Sequence, residues 1–390
     1  MHVAIDASSW DNERGFGRFT RSLVGALAAR ETGNRYSLLL DQAPQRSVPD
    51  NVDVIIAGAG QSLSEASSGK SARKGGDLFS LANAARKLTC DVFFYPAVYS
   101  YFPLLSRTPS VVCFHDTIPE RFPDLIFPSK LNSRLWNAKT WLAKHMASRV
   151  MTVSQTSADD LTNILKINRQ KIDVITEGAD AAFRPIPKPG ELVAVRKKYQ
   201  IPPEAKLLVY VGGFNRHKNV LRLIEAMPAI LEQEPDAHLA IVGRTTGARF
   251  WDNADELQAG AASNRLVSNH VSFTGEISDP ELARVLNAAS ALVFPSLWEG
   301  FGLPALESMA CGTPVLASDQ GSLPEIIGDA GLFFDPQSSQ DIAEKTIRLL
   351  GNSNLAAELS NKAIVRTRNF SWERSAELAE DCFRNAVQKR

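Results

Sequence analysis

Two carboxylates flank a glycine-rich turn in the segment Glu299-Gly-Phe-Gly-Leu-Pro-Ala-Leu-Glu307. Pro304 favours a helix that starts there, because proline at the first helical position gives up no N–H that the helix needs. We therefore expect Glu299 on a loop and Glu307 on the exposed start of a helix. A strand that leads through a glycine turn into a helix start is a common phosphate site. With two acids added, the segment predicts a ligand that carries both phosphate and hydroxyl groups, such as a nucleotide sugar.

Basic side chains follow a second glycine turn, in the segment Gly212-Gly-Phe-Asn-Arg216-His-Lys218. The spacing is not that of a Walker A loop. Arg216 and Lys218 can neutralise a leaving diphosphate from such a position. The alternative is a solvated helix end, but basic residues are unfavourable at the positive end of a helix. The pattern therefore favours an anion site.

The first half of the chain carries two weaker signals. Gly15 and Gly17 follow the first apolar run, and glycine permits positive φ and close backbone approach, although such pairs occur in many tight turns. His115 lies near the end of another apolar run, where it can bind a substrate hydroxyl or only the backbone. Both alternatives stay open for each of these features.

A further helix start is predicted after the paired carboxylates. Ser322 and Glu325 have the spacing of a capping box, in which each side chain bonds to a backbone N–H at the other position. That interpretation explains both residues without a role in binding.

Short apolar runs, separated by helical patterns, must position these side chains. The runs are near-continuous rather than alternating, as in parallel strands buried on both faces, and their alternation with helices indicates βαβ units. The proline-rich segment Arg184-Pro-Ile-Pro-Lys-Pro-Gly190 indicates a linker between two halves. We predict an α/β fold of two facing, doubly wound Rossmann-like domains, with residues 1–185 in one, residues 186–370 in the other, and ligands in a central cleft.

Composition and charge exclude several classes of protein. The chain has 390 residues with 43 basic and 43 acidic side chains, so its net charge of zero gives no field that favours nucleic acid. Its four cysteines are scattered, without zinc or disulfide spacing, which favours a reducing cytosol. We expect no secretion signal, because the chain opens directly into a strand, His2-Val-Ala-Ile-Asp6. We expect no spanning helix, because no apolar run approaches the ~18 residues that one needs.

A basic, tryptophan-bearing helix is predicted between residues 128 and 149. No acid occurs between Ser129 and Arg149, and apolar side chains recur at helical spacing: Leu131, Leu135, Ala138, Leu142 and Met146. Such a helix can lie on the anionic inner face of a membrane. The alternative is an ordinary surface helix with a solvated basic face.

Taken together, these motifs resemble the retaining, nucleotide-sugar-dependent glycosyltransferases of family 4, which have the GT-B fold, and look most like bacterial mannosyltransferases. The resemblance runs over almost the whole chain. It rests on Gly15-Phe-Gly-Arg-Phe19, Phe114-His115-Asp116, Thr152-Val-Ser154, Glu177-Gly-Ala-Asp180 and the two glutamates at positions 299 and 307. It implies that a final helix, residues 371–390, packs back on the first domain.

The resemblance also implies roles for individual residues. Glu307 would bind the donor ribose, Glu299 the donor sugar, and Lys218 the diphosphate. His115 would lie near the reacting carbon, and Gly15 and Gly17 would lie near the phosphate. The backbone of Phe301, Gly302 and Leu303 would hold the sugar and the phosphate. Glu299 would bind rather than act as nucleophile, with attack on the front face assisted by the leaving phosphate. No metal or other cofactor is expected.

One position departs from the family pattern. Many members carry arginine where this chain has Gly213, and either Arg216 or His217 could reach the phosphates instead, a choice that the sequence does not decide. The expected reaction moves a hexose, with mannose from GDP-mannose as the first choice, to a hydroxyl of a glycan or lipid-linked acceptor in bacterial surface polysaccharide synthesis. A UDP-hexose-dependent transferase, an inactive sugar-binding protein, a phosphorylase and a sugar-nucleotide 2-epimerase of the same fold remain alternatives.

Overall fold

The chain divides into two compact units in its computed structural model, which describes residues 1–12, 15–57, 75–187, 189–244 and 253–388. The first unit comprises Met1–Glu177 and Ser371–Arg390, and the second comprises Gly178–Phe370. The division therefore precedes the proline-rich segment that the sequence indicated as the linker.

That proline-rich segment is attached to the second unit. The Ile186 N–H donates to Asn287 Oδ1 at 2.7 Å, and the Asn287 side-chain amide donates to the Arg184 carbonyl at 3.0 Å. A single asparagine thus holds both sides of Pro185, so the backbone there is fixed rather than a free connection.

Each unit contains one parallel sheet. The strand order is β3-β2-β1-β4-β5-β6-β7 in the first unit and β10-β9-β8-β11-β12-β13 in the second. The strands are β1 His2–Asp6, β2 Arg35–Leu40, β3 Val52–Ile56, β4 Val92–Tyr95, β5 Ser110–Cys113, β6 Arg149–Thr152, β7 Ile172–Val174, β8 Lys206–Val211, β9 Ala237–Val242, β10 Val271–Gly275, β11 Ala291–Phe294, β12 Val315–Ser318 and β13 Gly331–Phe334.

Helices connect most successive strands, as βαβ units require, although the described residues between β2 and β3 and between β4 and β5 form no α-helix. They are α1 Gly15–Ala28, α2 Gly75–Lys87, α3 Ile118–Arg121, α4 Pro123–Ile126, α5 Lys130–Met146, α6 Gln155–Asn163, α7 Pro189–Lys198, α8 Val220–Gln233, α9 Ala254–Ala262, α10 Arg265–Ser268, α11 Asp279–Asn287, α12 Leu303–Ala310, α13 Leu323–Ile327, α14 Ser339–Leu350, α15 Ser353–Thr367 and α16 Trp372–Gln388.

The continuous apolar runs form central strands because both faces of these strands are covered. Every residue of β4, β5, β9 and β11 is buried. A half-exposed strand would carry polar residues at alternate positions, and these four strands lack that alternation. The α/β class and the two doubly wound halves are confirmed.

Helix α16 completes the first unit although it lies at the other end of the sequence. Its buried Glu380 accepts hydrogen bonds from the Tyr36 and Thr32 hydroxyls, each at 2.8 Å. The ring of Phe383 packs against Phe94 with a centroid separation of 5.2 Å. Polar and apolar contacts therefore both attach this helix to the strands of unit 1.

Within the described ranges, the helices are too short or too polar to cross a bilayer.

Candidate functional site

In the second unit, both glycine turns lie where the strand order reverses, between β8 and β11. Ligands of doubly wound sheets bind beyond the strand ends at this point. The Leu297 N–H donates to the His217 carbonyl at 2.8 Å and joins the two turns. The Asn219 side-chain amide donates to the carbonyls of Pro295, at 3.0 Å, and Pro336, at 2.7 Å. These bonds fix the backbone that carries Lys218 and Glu299.

Lys218 and Glu299 form an ion pair at this reversal. The Lys218 ammonium donates to Glu299 Oε1 at 2.7 Å and to Oε2 at 3.0 Å. Only 20% of the lysine side chain and 9% of the glutamate side chain are exposed. The family resemblance assigned these two residues to the diphosphate and to the sugar of a donor, and the structure brings them together. The pair offers both a cation and an acceptor of hydrogen bonds from hydroxyl groups.

The turn after Glu299 is supported by a residue that the sequence interpretation assigned elsewhere. The Ser322 hydroxyl lies 3.1 Å from the Glu299 carbonyl and 2.9 Å from the Phe301 carbonyl, and its N–H donates to the Glu299 carbonyl at 3.2 Å. The capping-box prediction for Ser322 and Glu325 is wrong, because Ser322 makes no side-chain bond to the helix that follows. Its hydroxyl holds the preceding loop instead.

Glu307 is fully buried, so its predicted position on an exposed helix start is wrong. Helix α12 begins at Leu303, and its residues on every side of Glu307, from Ala305 to Met309, are buried too. The first two residues of the helix, Leu303 and Pro304, are half-buried, and the helix is fully buried only from Ala305 to Met309. Burying a carboxylate at such a depth is costly unless polar groups contact it.

Gly302 caps α12 in a left-handed conformation with φ of 98°. A Cβ atom at this position would lie 2.6 Å from Leu323 Cδ2. Both the conformation and the space therefore require glycine. Phe301 and Leu303 flank it at the amino end of the helix, where backbone N–H groups attract anions.

The two alternatives for the second phosphate cation differ sharply in charge. His217 is buried, and burial together with the charge on Lys218 lowers its pKa to about 3. Arg216 has 66% of its side chain exposed, and its guanidinium lies 3.4 Å from Glu256 on α9. Of these two residues, only Arg216 is a cation at neutral pH. Gly213, at the position of the family arginine, is exposed.

His115 has an acceptor at each ring nitrogen in the first unit. Its Nε2–H donates to the Pro96 carbonyl at 2.8 Å, and its Nδ1 lies 3.7 Å from Glu177 Oε1. Burial alone would lower the pKa of His115, but Cys113 and the Glu177 carboxylate raise it well above the usual value. Since both nitrogens face acceptors, the geometry favours the charged imidazolium.

Gly15 and Gly17 are the first and third residues of α1, so the predicted use of positive φ at these glycines is wrong. The predicted close approach does occur at Gly17, where a Cβ atom would lie 1.9 Å from the Asn12 carbonyl oxygen. The start of α1 also brings Phe16 and Phe19 against His115, with centroid separations of 5.4 and 4.6 Å.

Glu177 and Asn219 are the main residues whose contacts sequence reasoning missed. Glu177 follows β7 as His115 follows β5, and the carboxyl ends of parallel strands share one edge of a sheet, so this signal was available. Asn219 occupies a left-handed position with φ of 58°, which asparagine tolerates better than most residues. Nothing in its neighbours along the chain reveals the two carbonyls that it binds.

The described part of the chain groups no three His, Cys, Asp or Glu side chains in a way that would hold a metal ion.

Comparison with known families identifies both halves of the chain. Residues 14–183 match the model described as "Glycosyltransferase Family 4", and residues 194–366 match "Glycosyl transferases group 1". The chain is 26% identical to the "Serotype-specific mannosyltransferase WbdA" of Escherichia coli over 100% of its own length, but it spans only 48% of that relative. It is 29% identical to the "O-antigen chain mannosyltransferase B" of Escherichia coli, over 68% of this chain and 67% of that one.

Solved structures show the same fold over nearly the whole chain. A sucrose-phosphate synthase from Thermosynechococcus elongatus superposes with a TM-score of 0.79 at 21% identity, covering 100% of this chain and 99% of that one. Anabaena HepE, solved in complex with UDP-glucose, superposes with a TM-score of 0.74 at 20% identity, covering 97% and 98%. The fold of both units is therefore that of the GT-B enzymes.

Proposed function

Because the chain belongs to the glycosyltransferases of family 4, with a group 1 domain in its second half, we propose that it transfers a hexose with retention of anomeric configuration. The donor is a nucleoside diphosphate sugar, with GDP-mannose as the first choice. The acceptor is a hydroxyl of a glycan or glycolipid in bacterial surface polysaccharide synthesis. The names of two relatives, a serotype-specific and an O-antigen chain mannosyltransferase, support mannose and this pathway.

The buried ion pair of Lys218 and Glu299 carries the proposal. It lies at the strand-order reversal of unit 2, beside the start of α12, where ligands of this type of sheet bind. A sugar diphosphate needs cations and N–H groups at one end and acceptors of hydroxyl protons at the other. Lys218 and Arg216 supply the first, and Glu299 and Glu307 supply the second.

In this proposal Glu299 positions the donor sugar and is not a nucleophile. Both its oxygens accept hydrogen bonds from one ammonium group, which lowers the electron density available for attack on carbon. Attack by the acceptor on the front face, assisted by the departing phosphate oxygen, then needs no carboxylate nucleophile. The protein contributes alignment of the two substrates and stabilisation of charge on the leaving diphosphate.

We further propose that transfer needs no divalent metal. The cations of Lys218 and Arg216, together with the amino end of α12, take the role that a metal has on a leaving diphosphate. A chelator should therefore leave the initial rate of transfer unchanged. Loss of transfer with a chelator, restored by added Mg²⁺ or Mn²⁺, would contradict this part of the proposal.

A donor screen by thermal unfolding tests the function. A ligand that binds only the folded chain raises its apparent stability, by about 2.7 kcal/mol at a hundredfold excess over Kd. We expect GDP-mannose and GDP to raise the midpoint of unfolding, and UDP, ADP and free mannose to leave it unchanged. Release of GDP in the presence of a mannose-containing glycan acceptor then establishes transfer. No shift with any nucleotide would contradict the proposal.

The second candidate is transfer from a UDP-hexose, which the likeness to HepE in its UDP-glucose complex supports. The same screen separates the two candidates. If UDP and UDP-glucose raise the midpoint of unfolding and GDP does not, the proposed donor changes from GDP-mannose to a UDP-hexose. The rest of the proposal stays the same.

A further inference from the structure

Helix α5 presents its apolar side to solvent. Leu131 and Leu135 are 64% and 62% exposed, and Trp141 is 57% exposed. Their positions along the helix place them on one face together with Ala138 and Met146, which are also exposed. An ordinary surface helix turns such a face toward the core. We call these five residues the apolar face of α5.

Several basic side chains of this region point the other way. The Lys139 ammonium donates to the Tyr99 carbonyl at 2.8 Å, and the Lys144 ammonium donates to the Leu165 carbonyl at 2.6 Å. Trp136 is turned inward as well, with its indole N–H on Glu120 at 2.7 Å. The side of the helix attached to the unit also carries Ala143, which lies in the hydrophobic core, and Trp136 and Leu142, which pack against that core. The exposed leucines, Leu131 and Leu135, therefore face outward.

Two cations border the apolar face. Lys130 and Arg134 are both exposed, and the sequence has no acidic residue from Lys130 to Ser148. Helix α5 is about 25 Å long, from 17 residues at about 1.5 Å each, and the apolar face runs along almost all of it. It combines leucine, tryptophan and methionine with adjacent positive charge, which is the composition of a helix that lies in a lipid interface.

We propose that the apolar face of α5 lies flat on a bilayer that contains anionic lipid. The leucines and Met146 enter the acyl boundary, Trp141 lies at the level of the headgroups, and Lys130 and Arg134 contact lipid phosphates. This contact is independent of the donor site in unit 2. It brings the first unit to the surface on which a lipid-linked acceptor would be presented.

Charge decides between a membrane and a second copy of this chain. Two copies paired through this face would place four cations, Lys130 and Arg134 of each copy, in or beside one interface. Helix α5 has no acid to neutralise them. An anionic surface meets the same cations with opposite charge and covers the apolar residues at once, so the bilayer is the occupant that fits.

Vesicle sedimentation of the full chain tests the proposal, with phosphatidylcholine vesicles and vesicles that also contain phosphatidylglycerol. We expect binding only to the anionic vesicles, with weakening at high salt. Replacing Leu131 and Leu135 by serine should weaken binding about tenfold for each leucine. The pair Lys130→Gln and Arg134→Gln should weaken it about fivefold for each cation.

The matched control replaces two exposed apolar residues of unit 2, Leu266 and Val365, by serine. This variant should bind vesicles like the original chain. Thermal unfolding midpoints within the range of this control show that the α5 variants fold. Fluorescence gives a second measurement: vesicles should shift the emission of the original chain to shorter wavelength, and Trp141→Phe should remove that shift.

Two results would overturn the proposal. One is the absence of binding to anionic vesicles, or binding that the α5 variants leave unchanged. The other is a dimer in light scattering that Leu131→Ser and Leu135→Ser convert to monomer, because the face would then be an interface between copies. Both results leave the donor screen unaffected.

Discussion

Lys218 contacts both carboxylate oxygens of Glu299, at 2.7 and 3.0 Å, with most of each side chain withdrawn from water. A buried charge without its partner is costly, so each residue stabilises the other as well as a ligand. Loss of activity on replacing one of them therefore has two causes. The stability of unit 2 and its binding of a donor must be measured separately.

The first prediction concerns this coupling. Lys218→Met leaves a buried carboxylate unpaired and should lower the free energy of unfolding by about 1–3 kcal/mol, after allowance for the partial exposure of the lysine. The double variant Lys218→Met, Glu299→Gln should lose less than the sum of the single variants in urea denaturation. Additive losses would show that the pair does not interact.

The second prediction concerns Glu307. Glu307→Gln keeps the shape of the side chain but removes the charge, and hydrogen bonds to charged groups contribute about 1.5–3 kcal/mol. We expect nucleoside diphosphate affinity, measured by calorimetry, to fall about tenfold or more. Glu358→Gln, on the exposed surface of α15, is the control. Unchanged affinity for Glu307→Gln would remove this residue from the ribose site.

The third prediction is a pH dependence in unit 1. The raised pKa of His115 means that the imidazolium stabilises the folded state at pH values below about 6.5, and that this stabilisation is lost as pH rises through the folded pKa. Glu177→Gln should return the pKa of His115 toward its ordinary value in an NMR titration.

The same variant gives a test by stability. The difference in unfolding free energy between the original chain and Glu177→Gln should be largest near about pH 6 and should shrink at alkaline pH. A difference that stays constant with pH would mean that Glu177 acts on the fold without charging His115.

The fourth prediction assigns the second phosphate cation. Arg216→Ala should weaken diphosphate binding about tenfold, as expected for a charged hydrogen bond. A side chain at Gly213 requires only a small shift of the Asn215 side chain, whose Oδ1 would lie 3.1 Å from a Cβ atom there. Gly213→Arg should therefore restore affinity in the Arg216→Ala background.

Arg222→Ala serves as the control for that pair, because Arg222 is partly exposed on α8 and pairs with Glu225. Equal affinity for Arg216→Ala and Arg222→Ala would show that Arg216 does not contact phosphate. The single variant Gly213→Arg is not expected to bind diphosphate more tightly than the original chain, because Arg216 already supplies a cation there.

The architecture of both units was predictable because its signal is local. A strand covered on both faces is almost continuously apolar, as in Val92–Tyr95 and in Ala237–Val242, where His238 is the exception. Such runs can be recognised without knowledge of the neighbouring strands. The ion pair of Lys218 with Glu299 was not predicted, although parallel strands place both turns at the same edge of one sheet.

Details that depend on side-chain direction were not predictable. Ser322 has the spacing of a helix cap, yet its hydroxyl turns to the loop before it. The apolar pattern of α5 resembles that of a helix packed on a core, yet Leu131 and Leu135 are exposed, and Lys139 and Lys144 bond to carbonyls of the unit. In both cases the orientation depends on contacts with residues distant in the sequence.

Helix α16 has a consequence for the order in which the chain folds during synthesis. The groups that receive it in unit 1, Tyr36 and Phe94 among them, leave the ribosome first, whereas Glu380 and Phe383 follow only after all of unit 2. Domains tend to fold as they emerge. Unit 2 can therefore fold while the surface of unit 1 that binds α16 is still uncovered. Unit 1 is synthesised first, but its fold is completed last.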